Sequence, residues 1–123
     1  MARRKITFDD VGALACALPG VHEGTSYGTR GWRVGKKFLM RAKEKMDDVL
    51  VLGVESLDER ELLLEGDPDV FFITDHYRGY PALLVRLAHI DRKHLAGLIE
   101  RAWRRGASKK LIAARDNGGR DNG

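Results

Sequence analysis

The segment VFFITDHYRGYPALLVRL, residues 70–87, decides the fold that we expect for this chain. Two apolar runs within it, Val70–Thr74 and Ala82–Leu87, are rich in β-branched and aromatic residues and flank a short polar connection. This pattern predicts two strands that pair as a β-hairpin or across a wide turn. The connection carries more hydrogen-bonding side chains than its length requires, and functional residues often lie on such loops. These side chains belong to Asp75, His76, Tyr77, Arg78 and Tyr80.

The same loop also has a structural interpretation. Tyrosine and histidine at strand ends commonly cap a sheet, and Gly79-Tyr80-Pro81 is ordinary turn chemistry. For any single residue of the loop, the structural interpretation is favoured over a chemical one. If the loop does bind something, we expect it to form the wall of a pocket for a small ligand or a protein partner. The pocket residues would be His76, Tyr77, Arg78 and Tyr80.

Three helices are predicted from capping residues and apolar spacing. The first covers residues 7–18, the second runs from Ser56 to about residue 65, and the third begins after Asp91. Gly106 interrupts the third helix, and residues 108–115 are expected to form a final turn or two. Residues 116–123 contain no apolar side chain, so we predict a disordered tail there.

The hairpin of residues 32–43 allows a prediction of strand register. A two-residue turn at Gly35-Lys36 would pair Val34 with Lys37 and mix apolar and polar side chains on each face. A three-residue loop, 35–37, pairs Val34 with Phe38 and separates the faces, so we predict the longer loop. On that register Trp32, Val34, Phe38, Met40 and Ala42 face the core, whereas Arg33, Leu39, Arg41 and Lys43 point outward.

The predicted element order is α-β-β-β-β-α-β-β-α, with short connections between the strands. Residues 49–54 are apolar throughout, which is typical of a central strand. Short connections favour antiparallel pairing. We therefore predict an α+β fold, a single antiparallel β-sheet with helices packed on one face. The 123 residues suffice for one core and one domain, which we place at residues 1–115.

Charge is distributed unevenly along the chain. The net charge is +4, but residues 30–45 hold seven Lys or Arg against one Glu, and residues 101–115 hold six and no acid. Residues 47–69 carry nine carboxylates against Arg60 alone. Such segregation can produce a basic surface that binds a polyanion. It is equally compatible with solvated faces that pair with each other in the fold.

Sequence patterns that carry catalytic or metal chemistry do not occur. The four histidines lack metal-binding spacing, and neither a nucleophile elbow nor a phosphate-binding loop is found. We therefore expect no enzymatic activity, no metal and no cofactor. Cys16 is the single cysteine, which excludes an internal disulfide. No apolar run has membrane-spanning length and no signal-peptide core is visible, so we expect a cytoplasmic monomer or homodimer with no membrane contact.

Four motifs follow one another along the chain: LPGVHEGTSYG (18–28), WRVGKKF (32–38), FFITDHYRGYPALLVRL (71–87) and LIERAWRRGASKKL (98–111). Their identity and order resemble the MmcQ/YjbR family of small bacterial proteins over about residues 6–115. The resemblance implies a CyaY-like fold, as in the frataxin relatives. It does not bring iron chemistry with it, because that function uses an acidic first helix, and the first helix here carries only Asp9 and Asp10.

The resemblance also implies a proposed DNA-binding role, in which β-hairpin wings contact the duplex. On matching positions the wing falls on Lys36, Lys37, Arg41 and Lys43. We expect a non-enzymatic protein whose basic hairpin and C-terminal basic run contact DNA phosphates with little sequence readout. The alternative is the pocket of the His76–Tyr80 loop, without nucleic acid. The full set of candidate DNA contacts is Arg33, Lys36, Lys37, Arg41, Lys43, Arg104 and Arg105.

Overall fold

The fold is an α+β arrangement of one six-stranded antiparallel sheet and four α-helices, seen in a computed structural model that describes residues 5–26 and 28–120. The predicted element order is confirmed as far as the third helix, and a fourth helix follows it. A 3-10 turn, Asp75–Tyr77, lies between the last two strands. The elements are α1 Phe8–Cys16, β1 Val21–Ser26, β2 Thr29–Val34, β3 Lys37–Ala42, β4 Val49–Gly53, α2 Leu57–Gly66, β5 Phe71–Phe72, β6 Ala82–Arg86, α3 Arg92–Gly106 and α4 Lys109–Arg120.

The strands lie in the order β1-β2-β3-β4-β6-β5, so β4 is central, as its continuous apolar sequence predicts. Every residue of β4 is buried. Strand β5 has only two paired residues, and Phe71 and Phe72 lie opposite Val85 and Leu84 of β6. The segment that decides the fold therefore pairs across a wide turn.

The helices are capped as predicted. At the start of α1, the Thr7 hydroxyl accepts a hydrogen bond from the Asp10 amide, and the Asp10 carboxylate accepts one from the Thr7 amide. At the starts of α2 and α3, the Ser56 hydroxyl accepts a hydrogen bond from the Glu59 amide and the Asp91 carboxylate accepts one from the His94 amide. Each such cap satisfies backbone donors that the helix itself leaves unpaired.

The main core lies between the sheet and the helices. Trp32 and Leu52 of the sheet and Leu95, Ile99 and Trp103 of α3 are almost completely buried in it. A second, smaller cluster forms around Val49, Val51, Leu84 and Tyr77, with Phe38 and Phe72 packed against it. Tyr77 belongs to the loop after β5, so this loop folds over apolar side chains of the sheet.

The predicted register of the β2–β3 hairpin is wrong. The turn has two residues, Gly35-Lys36, and Val34 pairs with Lys37. The pairing then slips between Trp32 and Arg33: Arg33 lies opposite Phe38, Trp32 lies opposite Met40, and Leu39 is the extra residue of a β-bulge. The bulge separates the apolar and polar faces without a longer turn, and periodicity alone does not reveal it.

Three consequences follow for the side chains of β3. Leu39, predicted to point outward, is fully buried in the main core. Phe38, predicted to share the face of Trp32, packs against the second cluster and is only partly buried. Arg41, also predicted to point outward, is 6% exposed.

The C-terminal segment is more ordered than its composition suggests. Helix α4 runs from Lys109 to Arg120, so residues 116–120 are helical where we predicted a disordered tail. Leu111 and Ile112 of this helix pack against the main core, and Asp116 pairs with Arg104 of α3. Residues 121–123 of the predicted tail lie outside the described part of the chain.

Candidate nucleic-acid interface

The tip of the β2–β3 hairpin presents two lysines to solvent. Gly35 occupies the first central position of the two-residue turn with φ +60, a conformation that favours glycine. Lys36 and Lys37 follow it and are exposed. The stem of Lys37 packs on the end of α3, because a Cβ atom on Gly106 would lie 3.1 Å from the Cβ of Lys37 and from Cγ1 of Val34. The tip is thereby joined to the junction between α3 and α4.

Two arginines extend this surface around the Phe38 ring. The guanidinium of Arg33 lies 5.9 Å from the centre of that ring. A Cβ atom on Gly53 would lie 3.4 Å from Nη2 of Arg105 and 3.7 Å from Cδ2 of Phe38. Arg105 therefore reaches from α3 to the end of β4 beside Phe38. We call Arg33, Lys36, Lys37 and Arg105 the tip patch.

The tip patch differs from the other predicted DNA contacts in having no carboxylate partner among the described residues. None of its four side chains forms an ion pair with a carboxylate of residues 5–26 or 28–120. The two basic segments of the sequence do meet in one surface, but only through part of their residues. Lys109 and Lys110, which begin α4, are also exposed and add charge close to Gly106 along the chain.

Arg41 and Lys43, at the open end of the hairpin, share one carboxylate. Glu44 Oε1 accepts from Arg41 Nη1 at 2.8 Å and from Lys43 Nζ at 3.3 Å. Mainly through the Arg41 hydrogen bond, with help from the backbone amide and Lys43, the pKa of Glu44 falls to about 2. The Glu44 carboxylate is therefore charged at any physiological pH and offsets one of the two positive charges that Arg41 and Lys43 bring to this end of the hairpin.

Arg104, the neighbour of Arg105, is also paired. Its guanidinium meets Asp116 at 2.6 Å and Glu100 at 2.9 Å. Burial by itself would raise the pKa of Glu100, but hydrogen bonds from Arg115 and Arg104 outweigh it and hold that pKa below its usual value. Of the seven predicted DNA contacts, Arg41, Lys43 and Arg104 are thus engaged within the protein.

A buried arginine organises the loop after β5. Arg60 of α2 is 4% exposed and donates to the carbonyl oxygens of Tyr77, Tyr80 and Arg78 at 2.7, 2.8 and 3.1 Å. The Tyr77 ring is buried, and its hydroxyl accepts from Arg41 Nη2 at 2.8 Å. The loop is therefore fixed from two sides, by Arg60 on its backbone and by Arg41 on its central side chain.

The remaining residues of this loop face solvent. His76 stacks edge-on against Tyr77, and its ring centre lies 6.4 Å from that of Tyr80, which is 60% exposed. Arg78 pairs with Asp75 at 2.7 Å. Of the four predicted pocket residues, Tyr77 is buried and helps to hold the loop in place. The side chains of His76, Arg78 and Tyr80 are exposed.

Comparison with known proteins agrees with this fold. A family model described as YjbR matches residues 16–105. The chain belongs to the YjbR family. Uncharacterised proteins of Mycobacterium tuberculosis and Mycobacterium bovis are 36% identical to it over 124 residues, covering 88% of this chain and 94% of theirs. Among solved structures, the Deinococcus radiodurans protein DR2400, with a DUF419 domain, superposes with a TM-score of 0.69 at 19% identity, covering 88% of this chain and 86% of that one.

One open groove lies elsewhere on this YjbR protein. It has a volume of about 750 Å³ and runs along α3 beside Leu63 of α2. Its polar rim includes Asp91, His94, Glu100 and Arg101, and the residues of the His76–Tyr80 loop do not line it. The predicted pocket wall and the groove are therefore separate features.

Neither a cluster of metal ligands nor a membrane-spanning helix is found among the described residues. Residues 5–26 and 28–120 contain no group of three or more His, Cys, Asp or Glu side chains arranged to hold an ion. Over the same ranges, no helix has the length and apolar character needed to cross a bilayer.

Sequence reasoning missed Arg60 and Glu44. Arg60 stands alone among nine carboxylates in residues 47–69, which suggests a solvated cation rather than a buried one. The signal that could have identified it is its position three and four residues before Leu63 and Leu64. This spacing places all three on one face of the short helix, where a long side chain can reach a neighbouring loop. Glu44, the single acid in residues 30–45, is the obvious partner for nearby cations in retrospect.

Proposed function

We propose that this YjbR protein binds DNA through its phosphate backbone, with the tip patch as the contact surface. The observation that supports this function is the absence of carboxylate partners around Arg33, Lys36, Lys37 and Arg105 within the described ranges. These four cations come from two distant parts of the sequence and converge beside Phe38 and Gly106. Cations left unpaired at one place are what a polyanion requires.

The paired cations contribute much less to such binding. A phosphate that approached Arg104 or Lys43 would have to compete with Asp116 or Glu44 for the same donor. Arg41 is buried and cannot reach a duplex without unfolding the loop above it. Of the four wing positions that the family resemblance implies, the proposed contact surface keeps Lys36 and Lys37. Arg33 and Arg105 take the place of the other two. Phosphate contacts carry no sequence information, so we expect little sequence preference.

A salt titration with matched variants tests this proposal. Binding of a labelled duplex, followed by fluorescence anisotropy, should give a log–log slope of roughly −3.5, because each of four phosphate contacts contributes about −0.9. The variant with Lys36, Lys37 and Arg105 changed to Gln should flatten the slope toward about −1. The control changes Arg92, Arg101 and Arg104 to Gln, which removes three cations that are paired with Asp10, Glu59 and Glu100.

Both variants lower the net charge by the same amount, so the comparison isolates position from total charge. The proposal requires the tip variant to lose binding while the control retains the slope of the natural chain. Equal losses would show that only net charge matters. An absence of binding by the natural chain even at low salt would overturn the DNA proposal and leave a small-ligand or protein partner at the His76–Tyr80 loop as the alternative.

A further inference from the structure

Two aromatic side chains stand on the surface in a rigid setting. Tyr80 is 60% exposed, and its ring lies 6.4 Å from that of exposed His76 with an angle of 30° between the ring planes. The backbone that carries them is fixed, because buried Arg60 binds the carbonyl oxygens of Tyr77, Arg78 and Tyr80. An exposed tyrosine on a fixed loop presents a flat apolar surface whose ordering cost has already been met in folding.

These rings lie at the same end of the sheet as the tip patch. The carbonyl of Pro81, next to Tyr80, accepts from the Val54 amide at 2.9 Å, and Ala82 pairs with Gly53. Gly53 in turn adjoins both Arg105 and Phe38. From Phe38 on β3 to the start of β6 is two strand spacings, or about 10 Å. The cations and the aromatic loop are therefore neighbours in the fold although 40 residues of sequence separate Phe38 from the loop's Arg78.

The loop adds no repulsive charge to this surface. Its single carboxylate, Asp75, is neutralised by Arg78 at 2.7 Å. The combined surface thus offers unpaired cations on one side and stacking rings on the other. This combination matches the two parts of a nucleotide, a phosphate and a base.

We propose that the tip patch and the His76–Tyr80 rings together bind single-stranded nucleic acid in preference to duplex. The inference rests on the proposed function, since the phosphates would occupy Arg33, Lys36, Lys37 and Arg105. The unpaired bases would stack on Tyr80 and His76. Bases in a duplex are already stacked on each other and cannot offer their faces, whereas each base of a single strand can. Stacking on aromatic side chains is largely independent of sequence.

Three probes of equal length separate the two contributions. A labelled oligothymidine of about 15 nucleotides offers phosphates and bases, an abasic strand offers phosphates alone, and a duplex offers phosphates with its bases hidden. The natural chain should bind oligothymidine more tightly than the abasic strand by at least about fivefold, the lower end for one stacked base. Tyr80→Ala should remove most of that difference and leave abasic and duplex binding unchanged. Tyr80→Phe, which keeps the ring, should bind like the natural chain.

The outcomes distinguish this inference from the proposed function. If the abasic strand and the duplex bind as tightly as oligothymidine, and Tyr80→Ala changes none of them, phosphate binding stands and the stacking inference is wrong. If no probe binds, or if changing Lys36, Lys37 and Arg105 to Gln weakens none of them, both are wrong. Should Tyr80→Ala fail to fold, the comparison of oligothymidine with the abasic strand in the natural chain still decides.

Discussion

The two ends of the β2–β3 hairpin are equally basic in sequence and opposite in structure. At the tip, Lys36 and Lys37 are exposed and have no carboxylate partner among the described residues. At the open end, Arg41 is buried beneath Tyr77, and it shares Glu44 with Lys43. The first end can meet an external anion, and the second end stabilises the fold. A run of positive residues therefore identifies a binding surface only where the fold places no carboxylate beside it.

The largest expected effect tests the bulge that separates the two ends. Leu39 is fully buried in the main core, so Leu39→Ala should destabilise the protein by about 2–5 kcal/mol. Phe38 is only partly buried against the second cluster, so Phe38→Ala should cost roughly 1–2 kcal/mol. Urea unfolding of both variants measures the difference.

The register that the sequence predicts gives the opposite ranking. With a three-residue loop, Phe38 would be a core residue and Leu39 a surface residue. A greater loss for Phe38→Ala than for Leu39→Ala would therefore contradict the bulge. It would also place Arg41 back on the outer surface, and the contrast between the two ends of the hairpin would disappear.

A smaller effect concerns the carboxylate at the open end. Glu44→Gln should destabilise the fold by roughly 1 kcal/mol, since its partly exposed pairs with Arg41 and Lys43 are screened by solvent. The pKa of Glu44 is about 2 in the folded protein, below its ordinary value of 4.5. Its stabilisation is fully present above about pH 4.5 and is lost as the pH falls toward 2. The difference in Tm between the natural chain and Glu44→Gln should shrink over that window.

The control for this effect lies at the tip. Lys36→Gln changes charge by one in the opposite sense and should leave stability unchanged to within about 0.5 kcal/mol at every pH, because Lys36 is exposed. A Glu44→Gln difference that stays constant down to pH 2 would mean that the carboxylate is not held by Arg41.

The sequence predicts the elements of this fold better than it predicts their contacts. The caps at Thr7 and Asp91 and the central strand β4 follow from local signals that act over a few residues, and the structure confirms them. The bulge at Leu39 could not be predicted from local signals, since it places Leu39 in the core that the sheet forms with the helices. The burial of Arg60 and Arg41 depends on the loop at Tyr77, which is 17 and 36 residues away in sequence.

The candidate site shows the same division. The sequence identifies which segments are basic, and it includes all four residues of the tip patch in its prediction. It does not show the whole difference between Arg105 and Arg104. Glu100, four residues before Arg104, is a local partner, but Asp116, the second partner, lies in a segment predicted to be disordered. Of these two neighbours on α3, Arg104 pairs with two carboxylates, and the contact with Asp116 becomes visible only in the fold.

The smallest expected effect tests the contrast between Arg104 and Arg105. Deleting residues 116–123 removes Asp116, which pairs with Arg104 at 2.6 Å, while Glu100 remains as a partner. Both side chains of the lost pair are partly exposed, so solvent screens the pair and stability should change little. Arg104 would become more available to phosphate, and duplex binding should strengthen slightly, with a salt slope steeper by at most about 0.9.

Asp116→Asn in the full chain is the matched control, because it removes the carboxylate and keeps the helix. A marked fall in Tm for the truncation alone would show that the deleted segment stabilises the fold beyond the Asp116 carboxylate. Weaker DNA binding in both variants would contradict the idea that carboxylate partners exclude Arg104 from the patch.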